Sequence, residues 1–208
     1  QIIENQDLNE LLDFIDWTPF FRSWELYGKY PQILTDEVVG EHATELFYDA
    51  QKILKMILNE KLFNAKGIFG IFPANSNEND DIILEKDQQE FTFRTLRQQH
   101  KKSDGKEYLA LSDFIAPKSS GIQDYVGAFC VTTGFGTEEL AQKYYDQGDD
   151  YTAIIVKALA DRLAEAFAEF LHHKVRTRIW GYAQNENLQN EDLIAEKYSG
   201  IRPAPGYP

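Results

Sequence analysis

Gly67-Ile-Phe-Gly-Ile-Phe-Pro-Ala74, the polar turn from Asn75 to Asp81, then Ile82-Ile-Leu-Glu-Lys86 and Phe91-Thr-Phe-Arg-Thr-Leu96 form the stretch that decides the fold. Short runs rich in β-branched and aromatic residues, parted by turn formers, predict three strands in a meander. Further β-prone runs at Tyr108 to Ala116 and Tyr125 to Thr133 bring the expected antiparallel sheet to about five strands.

Helical periodicity flanks this region on both sides. From about Asp36 to Glu60 the set Val39, Ala43, Leu46, Phe47, Ala50, Ile53, Leu54, Ile57 and Leu58 recurs at three- and four-residue spacing, which predicts one face of a long helix. Ahead of it, Gln1 to Ile15 mixes acids and leucines and suggests a short helix leading into Asp16-Trp-Thr-Pro-Phe-Phe21, which Pro19 biases toward a loop. Beyond the strands, Thr137 to Gln147 fits a short helix. Asp149 or Asp150 can cap the longest one, Tyr151 to about Arg178, with Ile155, Leu159, Leu163, Phe167, Phe170 and Leu171 on its buried face. Asn190 is expected to cap a last helix through Tyr198 that Gly200 ends. The predicted architecture is one α+β domain, a meandering sheet packed with long helices.

Composition narrows the functional classes. With 43% hydrophobic residues in 208, the chain can bury a real core, and disorder is set aside. No run approaches the roughly 20 apolar residues of a membrane helix, so a membrane location is not expected and a cytoplasmic one is. The net charge of −13 disfavours nucleic acid as a partner. Cys130 is the one cysteine, so disulfides and multi-cysteine metal sites are excluded, and its apolar surroundings suggest a small buried hydrophobe. The sequence starts at Gln1 and stops in a proline- and glycine-rich stretch, which suggests a piece of a longer protein.

Three constellations could carry chemistry. At 100° per residue, Lys157, Asp161, Ala164, Glu165, Ala168 and His172 share the helix face opposite the leucine and phenylalanine stripe. Asp161 and Glu165 are like charges at i,i+4, costing an isolated helix roughly 0.2–0.5 kcal/mol, while the alanines leave room for a ligand or a docking domain. The plainer reading is a solvated face with surface histidines. Arg202-Pro-Ala-Pro-Gly-Tyr-Pro208 is neither helix nor central strand, and Arg202 offers a fork to a carboxylate; the plainer reading is a linker. Asp16, beside Trp17, is a carboxylate suited to an ammonium group. Gly134-Phe-Gly136 lacks the third glycine of a dinucleotide site, there is no phosphate loop, and no serine sits in a nucleophile elbow.

Taken together, Asp16-Trp-Thr-Pro-Phe20, Gly28-Lys-Tyr-Pro31, Phe72-Pro-Ala-Asn75, Val156-Lys-Ala-Leu-Ala-Asp-Arg-Leu-Ala-Glu-Ala-Phe167, Trp180-Gly-Tyr-Ala183, Asn185-Glu-Asn-Leu188 and Gly200-Ile-Arg-Pro-Ala-Pro-Gly-Tyr-Pro208 resemble the activation domain of cobalamin-dependent methionine synthases over nearly the whole chain. The resemblance implies one C-shaped domain over residues 1–208, with a twisted antiparallel sheet and an inner surface that binds S-adenosylmethionine. A neighbouring domain of the same polypeptide would hold the methylcobalamin. The implied role is reductive re-methylation of cob(II)alamin, with flavodoxin or a similar electron donor as partner and no turnover by the isolated domain, expected to be a monomer. Carried over residue by residue, Asp16, Arg202, Ala204, Gly206 and Tyr207 are the implied S-adenosylmethionine contacts. Asp161, Glu165 and Glu196 are the implied corrin-facing acids. No residue is implied as catalytic and no metal set is implied. The family domain continues past Gly-Tyr-Pro with another tyrosine and acid of the donor site, and this sequence stops short of them.

Because flavodoxins are acidic, basic stretches at His172 to Arg178 and Arg94 to Lys102 suggest a redox-partner surface. Two rival readings are a stand-alone S-adenosylmethionine-dependent methyltransferase and a non-catalytic module that caps the cobalamin domain.

Overall fold

The chain enters as a strand, β1 (Ile2–Gln6), followed by a 3-10 turn over Leu8–Phe14 that Asp7 caps through the Asn9 N–H at 2.9 Å. The short helix suggested within Gln1 to Ile15 forms over Leu8–Phe14 and is of 3-10 type, while the residues ahead of it become β1, which finds ladder partners that its local sequence does not advertise. The computed structural model describes residues 1–103 and 105–204. Where a loop was expected, α1 (Thr18–Arg22) forms: Pro19 sits in its first turn, where a missing N–H costs nothing, and Asp16 Oδ1 accepts from the Thr18 N–H at 2.9 Å.

The predicted long helix is α2 (Gly40–Glu60), which buries Ala43, Leu46, Ala50, Leu54 and Ile57 and ends at Lys61 in the left-handed region, φ 53°. Asp36, the expected start, accepts from the Val38 and Val39 N–H groups just ahead of it. Next come β2 (Asn64–Ser76), β3 (Asp81–Lys86), β4 (Gln89–Arg94), β5 (Asp124–Phe135), α3 (Thr137–Tyr145), α4 (Asp150–Lys174) and α5 (Asn190–Ile194). The class is α+β with an antiparallel sheet, as expected. The strands run in the order β1-β2-β3-β4, with β5 also paired to β2.

Two compact units emerge. The first holds Gln1 and Phe69–Phe129. In it β3 pairs antiparallel with both β2 (Ala74↔Leu84) and β4 (Ile82↔Phe93), and Ala74, Ile82 and Leu84 form a core covered by Phe72, Ile115 and Val126. The run at Tyr108 to Ala116 is no strand but carries a 3-10 turn at Leu111–Phe114. Asp113 closes that turn by accepting from the Ala110 N–H, and Arg97 grips both Asp113 and Asp80. That grip holds the Asp113 carboxyl down at about 2.

The second unit comprises Ile2–Ile68 and Cys130–Pro208. Its axis is α4, capped by Asp149 accepting from the Thr152 N–H and burying Ile155, Leu159, Leu163, Phe167 and Leu171. Phe167 lies under Gly67 so closely that a Cβ there would stand 3.1 Å from its ring. Thr133 of β5 donates to the Ala160 carbonyl at 2.7 Å. Past Lys174 the helix continues through a π-type turn, Val175–Ile179. The last helix is shorter than expected: α5 stops at Ile194 and Gln189 is its cap. Cys130 is exposed, not buried, because β5 buries only Thr133; an apolar run need not be covered. Among the described residues no helix is long and apolar enough to cross a membrane.

Candidate functional site

Two depressions lie in the second unit. The larger, about 380 Å³, is walled mostly by the loop Tyr182 to Leu188 and gathers few charged groups. The smaller, about 230 Å³, is lined by Phe14, Asp16, Pro19, Arg162, Glu165, Glu169, Leu193, Ile194, Glu196 and Arg202. Size would favour the first, but a site for a charged ligand is marked by convergent charged groups, and Asp16, Arg162, Glu165, Glu169, Glu196 and Arg202 gather them in the second.

Three pieces of chain meet there. The segment before α1 supplies Asp16, whose one oxygen is occupied by Thr18. Asn190 at the start of α5 donates to the Ile15 carbonyl at 3.1 Å and ties α5 to that segment. From α4 come Arg162, Glu165 and Glu169, spaced three and four residues apart and therefore on one face. After α5 the chain turns at Glu196, φ 54°, and runs along the end of α4. Tyr198 meets His172 edge to face at 4.9 Å, and Arg202 reaches Glu169 at 2.7 Å.

The structure thus brings Asp16, Glu165, Glu196 and Arg202 into one cleft, although the sequence suggested two separate groups. Asp161 lies one turn away, exposed and paired with Arg162. Ala204 is exposed, and Gly206 and Tyr207 lie outside the described residues.

Glu169 is the residue the sequence reading missed. It is 9% exposed, and burial pushes its carboxyl up while the Arg202 and Arg176 guanidinium groups oppose that rise. Its Oε1 and the Arg202 Nε are buried without hydrogen-bond partners among the described residues. At i+4 from Glu165 it stands on the border between the acidic strip and the apolar stripe, so helical spacing alone did not single it out.

Behind the cleft sits a buried charge network that corrects a second expectation. Arg176 is fully buried, donating to both oxygens of Glu186, with Nη2 to Oε1 at 2.6 Å, and to His172 Nδ1 at 2.7 Å. Its guanidinium lies 4.3 Å from the Tyr198 ring centre. His172 is 6% exposed, and Lys174 lies over Phe170 and pairs with Glu10. His172 and Arg176 are therefore structural and take no part in a redox-partner surface, while Lys174 is half-buried and Arg178 is exposed.

Arginine can only donate, so His172 Nδ1 accepts and Nε2 carries the proton. Burial, with Arg176 and Arg202 adding to it, pushes the His172 ring down to about 3. Between that value and the ordinary 6.5 of the unfolded chain, the unfolded state binds the extra proton, so stability falls as the pH drops through this window. Glu186, held low by Arg176, acts in the same direction below the ordinary glutamate range; Glu169, raised by burial, acts in the opposite one. Melting temperature measured from pH 7 to 5 should therefore fall more steeply in the parent than in His172→Gln, whose amide oxygen can still accept from Arg176. Equal slopes would remove His172 from this role.

A family model described as vitamin B12 dependent methionine synthase, activation domain, matches residues 7–208. The fold is also similar to a crystal structure of the MetH reactivation domain bound to AdoHcy, with a TM-score of 0.92 and 53% identity. That match covers 100% of this chain, which spans 64% of the other. The chain belongs to the family of vitamin B12 dependent methionine synthase activation domains.

Proposed function

We propose that this chain is one S-adenosylmethionine-binding module, residues 1–208 of a longer cytoplasmic methionine synthase in methionine biosynthesis. It supports the reductive re-methylation of cob(II)alamin to methylcobalamin held by a neighbouring domain of the same polypeptide. Flavodoxin or a similar acidic donor provides the electron, and the module works as a monomer without turnover of its own. The observation that carries this reading is the convergence of Asp16 and Arg202 in one cleft, with a buried guanidinium nitrogen unpaired among the described residues. It is supported by the MetH reactivation domain, 53% identical, which is bound to AdoHcy.

Arg202 suits the carboxylate of the methionine moiety, because a guanidinium fork retains donors after Glu169 has taken one edge. Asp16 suits the ammonium with the oxygen that Thr18 leaves free. The backbone of Ala204, Gly206 and Tyr207 suits the adenosine. When bound, S-adenosylmethionine supplies the methyl group, and this chain's residues only hold and orient it. Glu165 and Glu196, with Asp161 beyond them, present acids toward the corrin domain, where a displaced imidazole could meet them.

Calorimetric titration of S-adenosylmethionine tests the reading, using this chain, a version lengthened past Pro208, and Arg202→Ala in each. Binding should weaken about tenfold to a hundredfold in the variant, the value of lost charge-assisted hydrogen bonds. No binding by either parent, with retained binding to a cobalamin module, would replace the donor-holding role by that of a docking cap. Methyl transfer by this chain without any corrinoid would favour the stand-alone methyltransferase.

A further inference from the structure

We infer that Glu169 is a ligand-recognition residue of the cleft, reading the cationic amino group of a zwitterionic amino-acid ligand while it holds Arg202 for the carboxylate. The inference rests on the proposed donor site and deepens it.

Glu169 and Arg202 form one ion pair in the cleft wall, Oε2 to Nη2 at 2.7 Å, with side chains 12% and 24% exposed. Each keeps a buried polar atom without a partner among the described residues, Oε1 on the acid and Nε on the base. A buried polar group left unpaired is costly, so native structures rarely keep two in one wall. One acceptor and one donor of opposite sign, carried by two side chains that already touch, match the two halves of an α-amino acid head. The ammonium completes Oε1 and the carboxylate completes the guanidinium edge. No lone anion or lone cation satisfies both.

The neighbours support this division of labour. Glu165 and Glu196 are exposed and already hydrated, so neither gains as much from a cation. Glu169 is the buried acid of the wall, and it sits one helical turn from Glu165, at the depth of Arg202. Asp16 approaches from the opposite segment, and an ammonium with three donors can serve both acids.

The test compares S-adenosylhomocysteine with its desamino analogue, which keeps the carboxylate and lacks the ammonium. Calorimetry would use the parent chain, Glu169→Gln and Asp16→Asn. Glutamine retains an oxygen for Arg202 and removes the negative charge. The parent should prefer the amino compound by about tenfold or more, and Glu169→Gln should bring the two ligands within about threefold while leaving the desamino affinity nearly unchanged. A purely structural role would weaken both ligands alike. Full preference retained by Glu169→Gln but lost in Asp16→Asn would overturn the inference and leave the donor site standing. Binding of neither compound by the parent chain or by the version lengthened past Pro208 would overturn both.

Discussion

Replacing Arg176 by methionine is expected to lower the unfolding free energy by about 3–5 kcal/mol, a fall of about 6–20 °C in Tm for a chain of this size. The reason lies with what remains. Glu186 is 7% exposed in its side chain and meets Arg176 at both oxygens, so the substitution strands a carboxylate away from water. His172 loses its donor, and Tyr198 loses the cation stacked on its ring. Removing both charges, as in Arg176→Met with Glu186→Leu, should recover much of the loss, because an apolar pair of similar volume carries no uncompensated charge. Differential scanning calorimetry of the single and double variants decides the matter: a single variant that melts within 2 °C of the parent, a margin below about 1 kcal/mol, would mean the network stabilises nothing.

Gly136→Ala should be nearly as damaging, by about 3 kcal/mol or more. Gly136 ends β5 and opens α3 at φ 95°, a conformation side chains rarely adopt. A Cβ there would stand 2.1 Å from the Leu62 carbonyl oxygen, a backbone atom that cannot swing aside. The connection from α2 to β2 and the connection from β5 to α3 would have to part, and α3 packs on α4. The check is the denaturation midpoint of the variant beside Gly148→Ala, another positive-φ glycine, which has open space around its Cβ position and isolates the cost of φ alone. Equal losses at the two positions would show that the contact with Leu62 is tolerated.

The parts of this fold that announced themselves were those whose physics is local. Both long helices show a repeated apolar face that only helical spacing produces, and the meander shows strand runs broken by turn formers. The head of Gln1 to Ile15 misled because β1 owes its state to pairing with Ile68 and Gly67, far along the chain. Tyr108 to Ala116 misled because β-prone residues were captured by Asp113 and Arg97 into a turn. At the cleft, Asp16 and Arg202 could be named from the resemblance, and Glu165 from the wheel. Glu169 could not, since the same wheel places it beside the apolar stripe, and only Arg202 explains why an acid is buried there. Likewise, nothing in His172 to Arg178 distinguishes a solvated basic run from one whose central arginine is swallowed by Glu186.

The tether from Asn190 to the Ile15 carbonyl has a consequence for biosynthesis. A chain emerging in order from the ribosome makes Asp16 almost at once, α4 much later, and Arg202 later still, while Phe69–Phe129 of the first unit intervenes between the two stretches of the second. Loop closure must therefore bring nearly the full length together before the cleft exists. A nascent chain halted before α5 has no pocket to offer, and whatever stabilisation a small molecule confers arrives only with the native state. The ligand can guard the finished unit against unfolding, but it cannot template the first steps of its assembly.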